Sequence, residues 1–271
     1  MMNLTPLVKQ LLIINILFFI CSFFVPAADQ ILALHNIHSD HFGWWQLLTY
    51  MFMHGNVMHI FFNMFALFSF GSMLEQFWGT KKFLFFYISC GLGAAALQLG
   101  INYMESQELL NQLYAVGLPE SVVHKLVNIP VWDTNGNPMV NSFLSDATTI
   151  VRQSGHEQLI SKMSGNQLLE AAMSVQGEMV GASGAIYGLL VAFAFMFPNA
   201  ELALLFIPIP IKAKYFVPGL LCLDLFLGFK GGSLFGTTTG IAHFAHVGGA
   251  LIGFLMMWYW KKNQFNKNRW N

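Results

Sequence analysis

Long stretches without a charged residue constrain this chain more than any other feature. A helix needs about 20 apolar residues to cross the hydrocarbon core of a bilayer. Six stretches reach or approach that length, and Asp224 is the one charged residue inside them. They are residues 10–28, 41–74 (most apolar from about Asn56), 83–104, 179–200, 215–229 and 231–260. The sequence therefore predicts an all-α membrane protein, a bundle of six transmembrane helices.

The composition excludes other classes of protein. Only 10% of the 271 residues are charged, against about 25% in soluble domains, so a water-soluble globule would lack the polar surface it needs. The 27 Phe and 7 Trp exclude a disordered chain. Thirteen basic residues balance thirteen acidic ones, which gives no overall positive field for nucleic acid. The predicted partner is the lipid bilayer, and nucleic acid is not expected.

Basic residues predict the orientation. If the six stretches alternate in direction, nine of the thirteen Lys and Arg residues share one side. They are Lys9, Lys81, Lys82, Lys212, Lys214, Lys261, Lys262, Lys267 and Arg269. The positive-inside rule assigns that side to the cytoplasm. We therefore expect a multi-pass protein of the plasma (inner) membrane with both termini cytoplasmic.

The first stretch has a second interpretation. Lys9, an apolar run and the small residues Pro26-Ala27-Ala28 also resemble a signal peptide with its cleavage site. Both interpretations leave the second helix entering the membrane from outside.

Residues 104–178 form a polar segment between the third and fourth stretches. Apolar residues recur at helical spacing near its two ends, at Leu109–Val116 and Leu168–Met173. The run Asp133–Pro138 between them is a turn signal. We predict one domain over residues 1–271 with an extramembrane helical insertion at 104–178. The insertion carries none of the candidate catalytic residues, so it should be dispensable for chemistry.

Ser183 is the first polar candidate, in Gly181-Ala182-Ser183-Gly184 at the start of the fourth apolar stretch. A serine at a helix start lies near backbone N–H groups that lack helical partners. Those groups and the helix dipole would stabilise a developing oxyanion. Alternatively, the small residues only permit close helix packing, as Gly184 and Gly188 would.

His246 lies inside the sixth stretch, and a histidine within a membrane span suggests a functional site. Gly249 and Gly253 follow it with the same four-residue spacing as Gly184 and Gly188. If the two glycine faces meet, His246 reaches the serine as a general base does. His243 is expected to be a hydrated histidine at the end of a loop.

His59 and Asn63 lie one turn apart at the head of the second helix, with His54 before them. Both side chains can donate hydrogen bonds to an anion. A metal site is not predicted here, because zinc usually takes three or four ligands and no Cys or carboxylate lies at useful spacing. His54 is expected to bond loop backbone.

Asp224 is costly in the fifth stretch, by about 2.5–3.5 kcal/mol on insertion scales. The favoured interpretation is a helix-pairing contact to a polar neighbour, and the alternative is a proton relay.

Three motifs together resemble the rhomboid family of intramembrane serine proteases. They are His54-x4-His59-x3-Asn63, then Gly-Ala-Ser-Gly-Ala-Ile-Tyr-Gly from Gly181, then Ala-His-x-x-Gly-x3-Gly from Ala245. The resemblance covers about residues 7–103 and 179–261. Trp44-Trp45-Gln46 is similar to the family's loop signature, but Gln46 stands where many members have Arg, which puts a loop-anchoring contact in question.

The resemblance implies a role for each candidate residue. Ser183 would be the nucleophile and His246 its base, without a carboxylate. Tyr187 would pack on the histidine, and Gly181 would leave room for substrate. His59 and Asn63, with the Ser183 N–H, would form the oxyanion hole. No metal or other cofactor is implied, and the substrates would be transmembrane proteins.

Two other functions are compatible with the same sequence. A proteolytically inactive relative would bind membrane helices, but such proteins lose the Ser or the His, and this chain has both. A small transporter could use a polar path through Asp224, His59 and His246. Inverted repeats or paired broken helices would be its signature, and the sequence contains neither.

Overall fold

The computed structural model describes residues 4–25, 27–133, 137–204, 207–230 and 242–263. Helices dominate, and four short strands form two separate two-stranded ladders. The longer helices are α1 (Pro6–Ser22), α4 (Val57–Ala66), α5 (Ser72–Trp78), α6 (Thr80–Ala115), α7 (Glu120–Val127), α8 (Val140–Gln153), α9 (Gly165–Gln176), α10 (Ser183–Met196), α11 (Ala213–Lys230) and α12 (His243–Asn263). Two shorter helices are α2 (Ala28–Leu32) and α3 (Gln46–Thr49), and the strands are β1 (Leu34–His35), β2 (Glu178–Met179), β3 (Glu201–Leu204) and β4 (Ile207–Lys212).

Each predicted apolar stretch overlaps at least one of these helices, and the all-α membrane class is confirmed. Within the described residues, two helical segments are long and apolar enough to cross a membrane, Val57–Trp78 and Thr80–Ala115, and Pro6–Ser22 and Ser183–Met196 are shorter apolar helices. A π-helical turn at Leu67–Gly71 joins α4 to α5. The number of spans stays a prediction, and the start of the sixth stretch, residues 231–241, lies outside the described residues.

The third helix is longer than the sequence predicted. We expected the third apolar stretch to end at residue 104, but α6 continues without a break to Ala115. The helical spacing at Leu109–Val116 therefore belongs to the end of α6, and the bounds of the insertion, 104–178, stay a prediction. Polar residues such as Glu105 and Glu108 mark a change of composition along α6, and a helix does not need to end where its composition changes.

The chain divides into two compact units. The first comprises residues 1–32, 47–98 and 180–271, and the second comprises residues 33–46 and 99–179. The second unit has its own apolar core, built from α7, α8 and α9 around buried residues such as Phe143, Leu126 and Leu168. Within it, β1 pairs antiparallel with β2. The extramembrane position of residues 104–178 stays a prediction, and part of the predicted turn, 134–136, lies outside the described residues.

The two glycine faces in the first unit pack directly on each other, as the sequence predicted. A Cβ atom added at Gly249 would overlap the carbonyl group of Gly184, and one at Gly253 would lie 2.8 Å from the Cα of Gly188. The backbones of α10 and α12 are therefore in contact without intervening side chains, the arrangement that small residues permit in membrane helices.

Glu75 joins α1 to the end of α5. Its buried carboxylate accepts hydrogen bonds from the N–H groups of Leu7 (3.1 Å) and Val8 (3.0 Å) and from the Thr80 hydroxyl (2.9 Å). The two N–H groups belong to the first turn of α1, which has no helical acceptor for them.

Replacing Glu75 by alanine should therefore destabilise the first unit. We expect a loss of about 1–3 kcal/mol, because two buried N–H groups lose their acceptor. Thermal unfolding in detergent measures the effect, with the exposed Lys81→Ala as the control. Equal melting temperatures for Glu75→Ala and the control would show that the carboxylate does not hold α1.

Candidate functional site

Ser183 is the first residue of α10. Gly181, two residues earlier, has a φ of +119°, a conformation that favours glycine. Its N–H group donates to the carbonyl of Tyr50 (2.9 Å). This bend ends just before the helix, so the N–H groups of the first helical turn lie beside the serine with no helical acceptor.

His246 lies within hydrogen-bond distance of the serine. The Nε2 atom of the histidine is 2.8 Å from the Ser183 Oγ, and His246 is only 8% exposed. The two residues are 63 positions apart in sequence, and the contact between the glycine faces of α10 and α12 brings them together. A hydroxyl bonded to a ring nitrogen is the arrangement that general-base activation of a nucleophile needs.

Asp224 contacts the same histidine from α11. Its Oδ1 lies 3.1 Å from the His246 Nδ1 and 2.7 Å from the His243 Nδ1. The sequence interpretation favoured a contact to a polar neighbour but did not identify the neighbour as the candidate base. His243 is only 8% exposed, so the expectation of a hydrated histidine at the end of a loop is wrong. An isolated carboxylate in a membrane span was the signal that could have pointed to this contact.

Tyr187 packs against the face of the His246 ring. Its ring is stacked on the His246 imidazole, with centroids 4.1 Å apart and planes inclined by 9°. This is the packing that the family resemblance implied. The ring of His246 is thus in contact with an aromatic face and with hydrogen-bond partners at both nitrogens, which fixes its orientation.

His59 approaches the serine segment from α4. A Cβ added at Gly181 would lie 2.6 Å from the His59 Nε2 and 3.8 Å from the Ser183 Oγ. The Asn63 amide donates to the His59 carbonyl one turn earlier (2.9 Å), which leaves its second amide hydrogen for another acceptor. The side chain of His59 is therefore close to the serine, and the oxyanion role of both residues stays a prediction.

His54 interacts with loop backbone at Phe52, as we expected. Its ring nitrogens are buried, and neither has a hydrogen-bond partner of short, well-aligned geometry among the described residues. The ring lies edge-on to His59, with centroids 5.0 Å apart, so it supports that side chain by packing.

One set of side chains has the composition of a metal site. The ligand atoms of Asp224, His243 and His246 lie within 4.8 Å of one another. The sequence did not predict this set, because it considered only His54 and His59 for metal binding. The 2.7 Å between Asp224 and His243 is shorter than the roughly 3.3 Å that separates two ligands of a tetrahedral zinc at about 2.0–2.1 Å. Hydrogen bonding accounts for the arrangement.

Gln46 anchors its loop in the second unit. The buried Oε1 accepts from the N–H groups of Gly43 (3.1 Å) and His35 (3.3 Å), and the Nε2 donates to the carbonyl of His41 (2.7 Å). The loop-anchoring contact that was in question is therefore made by Gln46 in this chain. Its amide forms three hydrogen bonds to backbone groups, and no arginine is needed for them.

Comparison with known proteins identifies a family and several relatives of this chain. The family model described as the Rhomboid domain matches residues 41–123 and 120–263. An uncharacterized mitochondrial rhomboid protein of Schizosaccharomyces pombe is 28% identical over 85% of the chain and 54% of its own length. Rhomboid protein 1 of Saccharomyces cerevisiae, also mitochondrial, is 31% identical over 34% of the chain and 25% of its own length.

A bacterial relative matches a shorter region. The rhomboid protease GluP of Bacillus subtilis is 39% identical over 18% of the chain and 10% of its own length. The chain thus spans about half the length of the S. pombe relative and much less of the other two. The family match extends over most of the chain and includes all the candidate site residues. The chain therefore belongs to the rhomboid family of membrane proteins, which includes serine proteases.

Proposed function

We propose that this protein is an intramembrane serine endopeptidase that cleaves the transmembrane segments of other membrane proteins. The observation that carries the proposal is the 2.8 Å contact between the Ser183 Oγ and the His246 Nε2 at the start of α10. The membership of the chain in a family that includes a named protease, GluP, supports the same activity.

In the proposed reaction, His246 takes the hydroxyl proton of Ser183 as the oxygen attacks the scissile carbonyl carbon. The carbonyl oxygen becomes an oxyanion, and the Ser183 N–H with His59 and Asn63 would donate to it. The C–N bond then breaks, and His246 returns its proton to the leaving amine. Water, activated by the same histidine, hydrolyses the acyl-enzyme and restores Ser183.

The substrate must expose a peptide carbonyl to this centre. A helix in the bilayer satisfies its carbonyl groups internally, so the scissile segment has to unwind before attack. We therefore expect cleavage next to small or helix-breaking residues.

Orientation follows from the distribution of Lys and Arg. Because nine of the thirteen basic residues share one side in a six-span arrangement, we propose that both termini are cytoplasmic and that the host is the plasma (inner) membrane. The mitochondrial relatives make a mitochondrial membrane the alternative, and membrane fractionation separates the two.

The activity can be tested on the purified chain in liposomes. The protein is reconstituted with a single-span reporter, and mass spectrometry identifies the products and the residue modified by a fluorophosphonate probe. We expect cleavage within the span and an adduct on Ser183. Binding of the reporter with neither cleavage nor adduct would favour a proteolytically inactive binder.

Gly181→Ala should lower the cleavage rate about 100-fold or more, the scale expected when a reacting group is displaced by about 1 Å. The added Cβ would lie 2.6 Å from the His59 Nε2 and would push that side chain away from the serine. Gly79→Ala is the matched control, because Gly79 also has a positive φ, of +75°, and a Cβ there would meet no atom within 4 Å. A Gly181→Ala rate close to that of Gly79→Ala would show that contact with His59 is unimportant.

A further inference from the structure

We infer that Asp224 is a positioning residue for His246, so that the reaction centre is a continuous hydrogen-bonded series from Ser183 through His246 to Asp224. This inference rests on the proposed protease function. It adds a carboxylate to a centre in which neither the motifs nor the family resemblance included one.

The contact geometry fixes which ring nitrogen carries the proton. An ionised carboxylate only accepts hydrogen bonds. Because the Asp224 Oδ1 lies 3.1 Å from the His246 Nδ1, that nitrogen must carry a hydrogen to donate. In a neutral imidazole the Nε2 is then left with a lone pair. This is the nitrogen that lies 2.8 Å from the Ser183 Oγ, so the carboxylate selects the tautomer that can accept the serine proton.

The same contact favours the charged form of the base. When Ser183 gives up its proton, His246 becomes a cation inside a buried site, where a charge is costly without a partner. Asp224 is only 5% exposed, so water screens its interaction with the imidazolium weakly. Tyr187 stacks on the ring face and restricts its tilt but supplies no negative charge, and its hydroxyl also interacts with Asp224. The carboxylate is therefore the group that stabilises a positive charge on His246.

His243 provides an internal comparison. It donates to the same carboxylate oxygen at 2.7 Å, whereas the hydrogen bond to the Ser183 Oγ is made by His246. If Asp224 only ties α11 to α12, loss of either residue should have the same consequence. If Asp224 positions His246, loss of the carboxylate should slow the chemistry much more than loss of His243.

The experiment compares Asp224→Asn, Asp224→Glu and His243→Gln with the wild type in liposomes. We expect Asp224→Asn to lower kcat at least about tenfold with KM within about twofold, because an amide can donate to Nδ1 and so favour the wrong tautomer. Fluorophosphonate labelling, which needs no bound substrate, should slow in parallel. Asp224→Glu should recover part of the rate, and His243→Gln should stay within about threefold of wild type.

Several outcomes would overturn the inference. Wild-type kcat in a folded Asp224→Asn protein would remove it while leaving the protease intact, whereas a wild type that neither cleaves nor labels would remove the proposed function itself. If Asp224→Asn and His243→Gln lost activity and melting temperature to the same extent, the role of Asp224 would be to pair α11 with α12. If a chelator activated the wild type and Zn²⁺ inhibited it, and Asp224→Asn responded to neither, Asp224 would be a metal ligand.

A measurement on the wild type covers the case in which the Asp224 variants do not fold. Nitrogen-15 NMR of histidine-labelled protein, with His243→Gln used for assignment, reports which His246 nitrogen is protonated. We expect the hydrogen on Nδ1. A hydrogen on Nε2 of the neutral ring would contradict the inference.

Discussion

Replacing Ser183 by alanine is expected to reduce cleavage of a transmembrane reporter by at least about 1000-fold, since loss of a nucleophile removes the covalent step altogether. The Oγ that contacts the His246 Nε2 is the atom that attacks the substrate in the proposed reaction. The fold should persist, because alanine fits the first position of α10 and removes no packing volume beyond the hydroxyl. Product formation and fluorophosphonate labelling measure the two consequences.

The control for this substitution is another serine in the same unit. Ser72→Ala removes a buried hydroxyl in α5 whose Oγ has no hydrogen-bond partner among the described residues, and it should keep both cleavage and labelling. Labelling of Ser183→Ala at the wild-type rate would show that another residue is the nucleophile and would contradict the proposed centre.

Replacing His246 by alanine should be as severe as the loss of Ser183. Residues that act as one unit show losses that do not add, so the double variant should be no slower than either single variant. The measurement is the rate of single-turnover cleavage at saturating enzyme for the two single variants and the double variant. His243→Ala is the matched control, since it removes a neighbouring imidazole on the same carboxylate and leaves both partners of the Ser183–His246 hydrogen bond in place. A His246→Ala rate above about a tenth of wild type would identify another base.

The sequence predicted the features of the fold that depend on residues close to one another along the chain. Apolar length locates the helices, because a bilayer requires a continuous run of apolar residues. The spacing of Gly184, Gly188, Gly249 and Gly253 indicated two smooth helix faces that could meet, and in the structure they pack on each other. Each of these signals lies within one helix, and so it can be read without knowing the neighbours of that helix.

Contacts between helices could not be predicted in the same way. The sequence shows Asp224 as an isolated carboxylate, but only the packing of α11 against α12 shows that His243 and His246 are its partners. The burial of His243 was missed for the same reason. Its position near a helix end suggested hydration, and the neighbouring helix excludes water from it.

Two elements of secondary structure were missed because the local composition did not suggest them. The strands β3 and β4 pair as a hairpin in a segment for which no structure was predicted. The alternation Ile207-Pro208-Ile209-Pro210-Ile211 has the period of a strand and was the available signal. The extension of α6 to Ala115 was missed because the change to polar residues at Glu105 suggested the end of an element.

The contact between Gly184 and Gly249 has a consequence for how such a centre can be controlled. A helix rises about 1.5 Å per residue, so sliding α10 along α12 by even one residue would bring side chains into the seam and force the backbones apart. The register in which both glycine pairs touch is the one that brings Ser183 to His246, and a slide by a full four-residue repeat would leave only one pair in contact. The glycine seam therefore sets the distance between the two side chains of the proposed centre. For the proposed activity, we expect control to act on whether a substrate segment reaches the centre rather than on that distance.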